Sequence, residues 1–361
     1  MRSLPIAATL LLAACATIPP LAVAPAIVDS DLQPVVAMLA SDALEGRMAG
    51  TAGEAKTIAF IAERFRAAGL ESGSRGAKPY LDPFTVAAMP IPTTMIVSAL
   101  GVSTVPAESS ESPQGEFNAR RAALGSFTSH NVVGVARGRH PDGKVVLLMA
   151  HWDHLGICAP EAADKICNGA VDNGSGVAAM LAVAERVAKL GLDRDVWFVA
   201  TSAEEWGLLG AKAFADRPPL PLASIIAGFN LDMIAVASSG ARVAMIAPPH
   251  SRLAPLVRQS AAALGRAWDG DREADSFLRR QDGWALAERG VPMVMVSGSF
   301  SDMKLLQSFI ANRYHSPDDE LRPHTDLGGA VDDANLHLEM IRRAASRKFV
   351  APSPRVPQLT R

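Results

Sequence analysis

The stretch Val145-Val146-Leu147-Leu148-Met149-Ala150-His151-Trp152-Asp153-His154 decides how this chain folds. Its first six residues are apolar without alternation, and three of the next four are ionisable. A strand with one wet face alternates apolar and polar residues, whereas an unbroken apolar run belongs to a sheet covered on both faces. The run therefore predicts a buried strand over 144–150 whose end opens onto polar chemistry. Further strand-like runs follow at 132–136, 195–201, 225–231, 242–247 and 292–297. Helical apolar spacing occupies 174–190, 207–215, 251–264, 282–289 and 331–347. Strands alternating with helices predict an α/β fold, a three-layer α/β/α sandwich around a largely parallel mixed sheet. In such sheets ligands gather at the carboxyl ends of the strands.

Upstream, 31–44 and 54–68 carry helical spacing, with Ile58, Ile61, Phe65 and Ala68 on one face and Gly69 as the stop. Between them lies Glu45-Gly46-Arg47-Met48-Ala49-Gly50-Thr51-Ala52-Gly53, a glycine-rich turn without the lysine of a phosphate loop. Residues 71–128 read only as a long loop or a small insertion. No internal repeat or coiled-coil heptad is present.

The chain starts Met1-Arg2-Ser3, and an apolar run from Leu4 to Ala14 follows, too short to span a bilayer. It ends at Leu12-Ala13-Ala14-Cys15, which resembles the bacterial lipobox; an ordinary signal peptide with an incidental cysteine is the alternative. The expected organisation is a signal peptide over 1–14, a lipid on Cys15, an Ala- and Pro-rich tether to residue 30, a main domain over 31–350 and a tail over 351–361. Such a protein is expected in the bacterial periplasm or cell envelope, held to a membrane by its lipid. Cys158 and Cys167 remain; in an oxidising compartment they are expected to pair, free thiols being the alternative. A net charge of −2 and the lack of basic runs with interleaved aromatics argue against a nucleic-acid partner.

Five segments carry chemistry. His151, at a strand end, reads as a metal ligand, with Asp153 two residues on to accept its other N–H. Asp172 sits among the glycines of Asn168-Gly169-Ala170-Val171-Asp172-Asn173-Gly174-Ser175-Gly176, where it is either a helix N-cap or a carboxylate bridging two cations. Glu204 and Glu205 follow strand 195–201. Adjacent carboxylates there repel, so they form either an exposed acidic turn or a site where one binds a cation and the other moves a proton to and from metal-activated water. Asp232 closes strand 225–231, and His315 lies in Tyr314-His315-Ser316-Pro317-Asp318-Asp319 before the last helix. Each segment alone is weak. Together His151, Asp172, Glu205, Asp232 and His315 make five N/O ligands for two divalent ions, whose charge three carboxylates and one hydroxide would neutralise. The absence of thiolates leaves zinc, cobalt or manganese, with zinc the default. Of the other histidines only His154 is placed to support a ligand from behind; 130, 140, 250, 324 and 337 read as structural or surface.

These segments, in this order, resemble the M28 family of metallopeptidases. The residues that carry the resemblance are AHWDHLG at 150–156, NGAVDNGSG at 168–176, AEEWGLLG at 203–210, NLDM at 230–233 and YHSPDD at 314–319. SDALEGRMAGTAGEAKTIAFIAERFRAAGL at 41–70 is also similar to the opening of secreted members. The resemblance implies a co-catalytic di-zinc aminopeptidase acting on peptides with a free N-terminus. Asp172 would bridge, His151 and Asp232 would complete one ion, and Glu205 and His315 the other. Glu204 would be the general base to a metal-bridged hydroxide, and Asp153 would orient His151. Two departures stand out. The stretch from 71 to 130 is about half as long as the protease-associated domain of many secreted relatives. RRQDGWALAERGVP at 279–292 has Gly283 where the family usually has a histidine. Glutaminyl cyclases and the M20 peptidases use similar ligands, but the former seldom continue the aspartate with Asn-Gly-Ser-Gly, and the latter need a lid that the interval from Asp232 to His315 cannot hold. A catalytically dead peptide-binding lipoprotein is the rival from outside enzymes.

Overall fold

The computed structural model describes residues 25–88, 93–98, 101–106, 113–249 and 251–350. The expected signal peptide, Cys15 and the tail over 351–361 lie outside them.

Among the described residues, eight strands form one sheet in the order β1-β5-β9-β6-β10-β12-β11, with β2 also on β5. They are β1 (Glu71–Ser72), β2 (Leu81–Val86), β5 (Phe127–Ala136), β6 (Val145–His151), β9 (Asp195–Thr201), β10 (Ile225–Asn230), β11 (Ala244–Ile246) and β12 (Met293–Ser297). Hairpins β3 (Thr93–Ser98) with β4 (Gly101–Pro106), and β7 (Gly156–Ile157) with β8 (Ile166–Cys167), stand apart. Strands β9, β6, β10 and β12 run parallel, while β1, β2, β5 and β11 pair antiparallel at the two sides. The helices are α1 (Asp29–Leu39), α2 (Ala52–Ala67), α3 (Pro113–Ala123), α4 (Gly176–Leu190), α5 (Leu209–Asp216), α6 (Ala254–Ala263), α7 (Gly283–Ala287), α8 (Met303–Asn312) and α9 (Gly328–Ala344).

The unbroken apolar runs have the cause the sequence suggests. Along β6, Val146, Leu148 and Ala150 face a core shared with α2, α4 and α9, while Val145, Leu147 and Met149 face a second core under α5 and α7. On β9, Val196, Phe198 and Ala200 point one way and Trp197 and Val199 the other. Each of the larger side chains contributes about 1.5–3 kcal/mol on burial, so polar residues of these strands are confined to their ends, as at His151 and Thr201. This is a three-layer α/β/α sandwich.

Two boundaries differ from the sequence expectation. The tether does not reach residue 30: Ile27 is fully buried, its N–H donates to Asn335 Oδ1 at 2.9 Å, and its carbonyl accepts from Asn335 Nδ2 at 2.8 Å. Part of the stretch 71–128 belongs to the main sheet, since β2 pairs with β5 along its whole length. Asp82, Phe84 and Val86 are buried in alternation, a period-two signal that Pro83 obscures.

Candidate metal centre

Three adjacent parallel strands bring three donors to one end of the sheet. Thr201 of β9 is level with His151 of β6, and Asn230 of β10 is level with Met149, so His151, Glu204–Glu205 and Asp232 follow strand ends at nearly the same height. Asp172 comes from the turn 170–175 that opens α4, and His315 from the loop between α8 and α9. Left-handed backbone at non-glycine residues marks the site: Ala203 (φ 53°) precedes Glu204, Met233 (φ 48°) follows Asp232, and His315 itself has φ 56°. Such conformations cost about 1–2 kcal/mol each and concentrate where function holds them.

The two oxygens of Asp172 face two different donor sets. Oδ1 lies 3.2 Å from His151 Nε2, which is 3.5 Å from Asp232 Oδ1. Oδ2 lies 3.4 Å from His315 Nε2, which is 3.0 Å from Glu205 Oε2. His154 approaches the second set from beneath, with Nδ1 at 2.8 Å from Glu205 Oε1 and 4.0 Å from Asp172 Oδ2. All five expected ligands are thus together, and His154 joins them.

Support comes from several segments. The carboxylate of Asp153 accepts from the backbone amides of Glu204 at 3.0 Å and Glu205 at 3.4 Å. It stands 3.8 Å from His151 Nδ1, whose nearer neighbour is the Asp153 carbonyl at 3.2 Å. Its side chain therefore braces the glutamate turn more directly than it orients the imidazole. Asp319 accepts from Val171 N at 3.0 Å and Asp172 N at 2.9 Å. Asn173 Nδ2 donates to Leu231 O at 2.8 Å, which ties the Asp172 turn to the Asp232 turn. Cys158 and Cys167 are bonded, closing the β7–β8 hairpin beside the site.

Burial dominates the electrostatics. It raises the Glu204 carboxyl well above the usual range; His151 opposes this, while Glu205, Asp232 and Asp282 add to it. Burial likewise lifts Asp153 to about 7. For Asp172 burial acts upward too, yet His151 and His315 hold it well below the ordinary value. Burial also raises Glu205, but His315 and His154 bring it down to about 2. His315 is pulled down by burial and pushed up to about 10 by Glu205 and Asp172. Protons on the imidazoles thus balance the carboxylates, a task that divalent cations perform when they displace those protons. Asp232 Oδ1 and His154 Nε2 are buried without a hydrogen-bond partner. His151, Asp172 and Asp232 form one group whose donor atoms converge closely enough for a metal ion, and His154, Asp172 and Glu205 form another. The donor chemistry fits borderline divalent ions such as zinc.

The cleft above these donors is lined further by Met233, Phe277, Arg280, Met295, Phe300 and Tyr314. Phe277 meets Phe300 edge-on at 5.5 Å, and Arg280 lies over the Phe277 ring at 5.1 Å. Sequence reasoning gave none of these a role. Phe277 and Arg280 belong to the 3₁₀ segment Glu273–Arg280, where Ala274, Phe277 and Leu278 fall at helical spacing.

Residues 131–338, more than half of the 361-residue chain, match the sequence model of Peptidase family M28. The chain belongs to peptidase family M28. Among curated relatives of this M28 chain is Aminopeptidase YwaD of Bacillus subtilis, 33% identical over 125 residues, 34% of this chain and 25% of that protein. The matched stretch spans about a quarter or less of the length of the first such relatives. The zinc aminopeptidase BSAP from Bacillus subtilis shares the fold with TM-score 0.59 at 17% identity, over 90% of this chain and 97% of that one. A glutaminyl cyclase from Porphyromonas gingivalis also shares the M28 chain's fold, with TM-score 0.55 at 18% identity, over 87% and 98%. Fold alone does not separate these two activities.

Proposed function

We propose that this M28 chain is a zinc aminopeptidase that removes residues from the free N-terminus of peptides. The observation that carries the reading is Asp172, whose two oxygens address His151 with Asp232 on one side and Glu205 with His315 on the other. A carboxylate so placed suits two ions held side by side. When bound, such ions polarise the scissile carbonyl and make water more acidic.

The remaining steps fall to the chain's own groups. Glu204 lines the cleft without serving either donor set, so it is free to take a proton from the attacking water and deliver it to the leaving amine. Burial and neighbouring carboxylates raise its proton affinity, as that task requires. Asp153 fixes the turn that aims Glu204 and Glu205. Phe277 and Phe300 give the cleft an apolar wall against the substrate's first side chain. We further propose that a lipid on Cys15 anchors the protein in the bacterial envelope, on the strength of Leu12-Ala13-Ala14-Cys15 after an apolar run; the Cys158–Cys167 bond suits that compartment.

The deciding experiment assays protein lacking residues 1–15 on a panel of aminoacyl chromogenic substrates, as purified, chelated, zinc-restored and as Glu204→Gln. Zinc-reversible cleavage of free N-terminal substrates, lost by about 10²–10⁴-fold in Glu204→Gln, is the expected result. Bound zinc with cyclisation of N-terminal glutamine instead of cleavage would transfer the chain to the cyclases. Absence of both zinc and turnover would leave a peptide-binding protein. Labelled palmitate should enter the full chain and not Cys15→Ala; equal labelling would refute the anchor.

A further inference from the structure

The segment Ser41-Asp42-Ala43-Leu44-Glu45-Gly46-Arg47 supplies no metal donor, yet it lies directly beneath the site. It forms a tight 3₁₀ turn over 42–47 that ends with Glu45, Gly46 and Arg47 all left-handed, at φ 52°, 64° and 51°. The two non-glycine residues of the three, Glu45 and Arg47, hold such angles only when neighbours fix them. Gly46 is the reason the segment sits so close: a Cβ there would stand 2.5 Å from Cys167 O and 2.7 Å from Gly156 Cα, on the disulfide-closed hairpin.

Arg47 is fully buried, and its side-chain hydrogen bonds all go to backbone carbonyls. Nε donates to Trp152 O at 2.8 Å, Nη1 to Leu39 O at 2.6 Å and Asn168 O at 2.5 Å, and Nη2 to Gly169 O at 2.9 Å. Its own carbonyl accepts from His154 N at 3.3 Å. One side chain therefore grips the His151–His154 loop and the start of the Asp172 turn, more than a hundred residues away in sequence. Asp42 extends the grip, since Asn168 Nδ2 donates to Asp42 Oδ1 at 2.8 Å and to Glu320 Oε1 at 2.9 Å, beside the His315 loop. Without a carboxylate in contact, the guanidinium is offset through space by Asp172, Asp319, Asp153 and Glu205. Arginine suits this place because its planar fork reaches several acceptors at once, which a lysine ammonium does not.

We propose that Arg47 is a positioning residue for the metal centre: it locks the His151 and Asp172 loops at bridging distance. The inference rests on the two-metal reading above. It goes beyond packing, because it makes zinc affinity depend on a residue that touches no ion.

The test measures zinc binding by chelator competition for wild type, Arg47→Lys and Arg47→Met, alongside thermal unfolding of each. Loss of a group that orients metal ligands from behind weakens binding about 10–100-fold. Arg47→Met should show that loss at both steps, and Arg47→Lys should recover part of it. Wild-type affinity in a merely less stable Arg47→Met would overturn the inference while leaving the metal reading intact. A wild type that binds no zinc would overturn the metal reading first. If neither variant folds, hydrogen exchange on wild type decides. Coupling is reciprocal, so zinc should slow exchange at 42–48; identical exchange there with and without zinc would overturn the proposal.

Discussion

Asp153→Asn separates the role read from the sequence from the role given by the structure. In the sequence, Asp153 follows His151 at the spacing of an orienting carboxylate; in the fold its oxygens hold the amides of Glu204 at 3.0 Å and Glu205 at 3.4 Å. The asparagine is nearly isosteric but keeps one acceptor. Placed at the shorter contact, it satisfies Glu204 N and turns its NH₂ toward Glu205 N, donor against donor. One buried amide left unpaired costs about 1–3 kcal/mol, roughly 5- to 150-fold in an equilibrium at 1.4 kcal/mol per decade. That cost should fall on the half of the centre holding Glu205 and His315. His151 is spared, because Nδ1 leans on the Asp153 backbone carbonyl, which the substitution retains. Stepwise zinc affinities, measured for Asp153→Asn alone and combined with Glu205→Gln or with Asp232→Asn, read the assignment directly. Coupling of about 1 kcal/mol or more to Glu205, and additivity within about 0.5 kcal/mol with Asp232, is expected. Coupling confined to Asp232 would refute the reasoning and return Asp153 to His151.

Other consequences follow from buried groups away from the centre. His337 donates from Nδ1 to Asp333 O at 2.7 Å, and burial lowers its pKa from 6.5 to about 4. Above pH 6.5 it is neutral folded or unfolded and contributes no pH dependence; as pH falls, the unfolded chain takes the proton first. Between pH 6.5 and 4 the wild type should lose about 3 kcal/mol more stability than His337→Leu, by proton linkage over that interval; parallel curves in denaturant titrations would contradict this. Replacing both Cys158 and Cys167 by Ser reopens a span of 9 residues and should cost about 2–3 kcal/mol on the chain-entropy relation. Zinc stoichiometry should persist in that variant, and loss of zinc without loss of stability would reverse the assignment of the bond to structure.

Much of the centre was legible in the sequence, and the reason is geometric. Unbroken apolar runs fix parallel strands, parallel strands end level with one another, and the ionisable residues just beyond 145–151, 195–201 and 225–230 therefore meet. Helix α8 was missed although Asp302 caps it, accepting from Lys304 N at 3.0 Å and Leu305 N at 3.1 Å. That signal is available to a reading that weighs caps as well as periodicity. Strand β2 was missed because Pro83 interrupts it and its partner lies some fifty residues on.

The sequence by itself determined the layered α/β fold and placed candidate donors at the strand ends, because periodicity and strand ends are local properties of the chain. Only the tertiary structure decided which oxygen of Asp172 faces which imidazole. It alone gave Asp153 to the glutamate amides, His154 to Glu205 and Arg47 to the carbonyls of two ligand loops. Those partnerships join segments from about fifty to more than a hundred residues apart. The difference between 3.0 and 3.8 Å decides the partner of the Asp153 carboxylate, and no spacing along a chain encodes a distance of that kind.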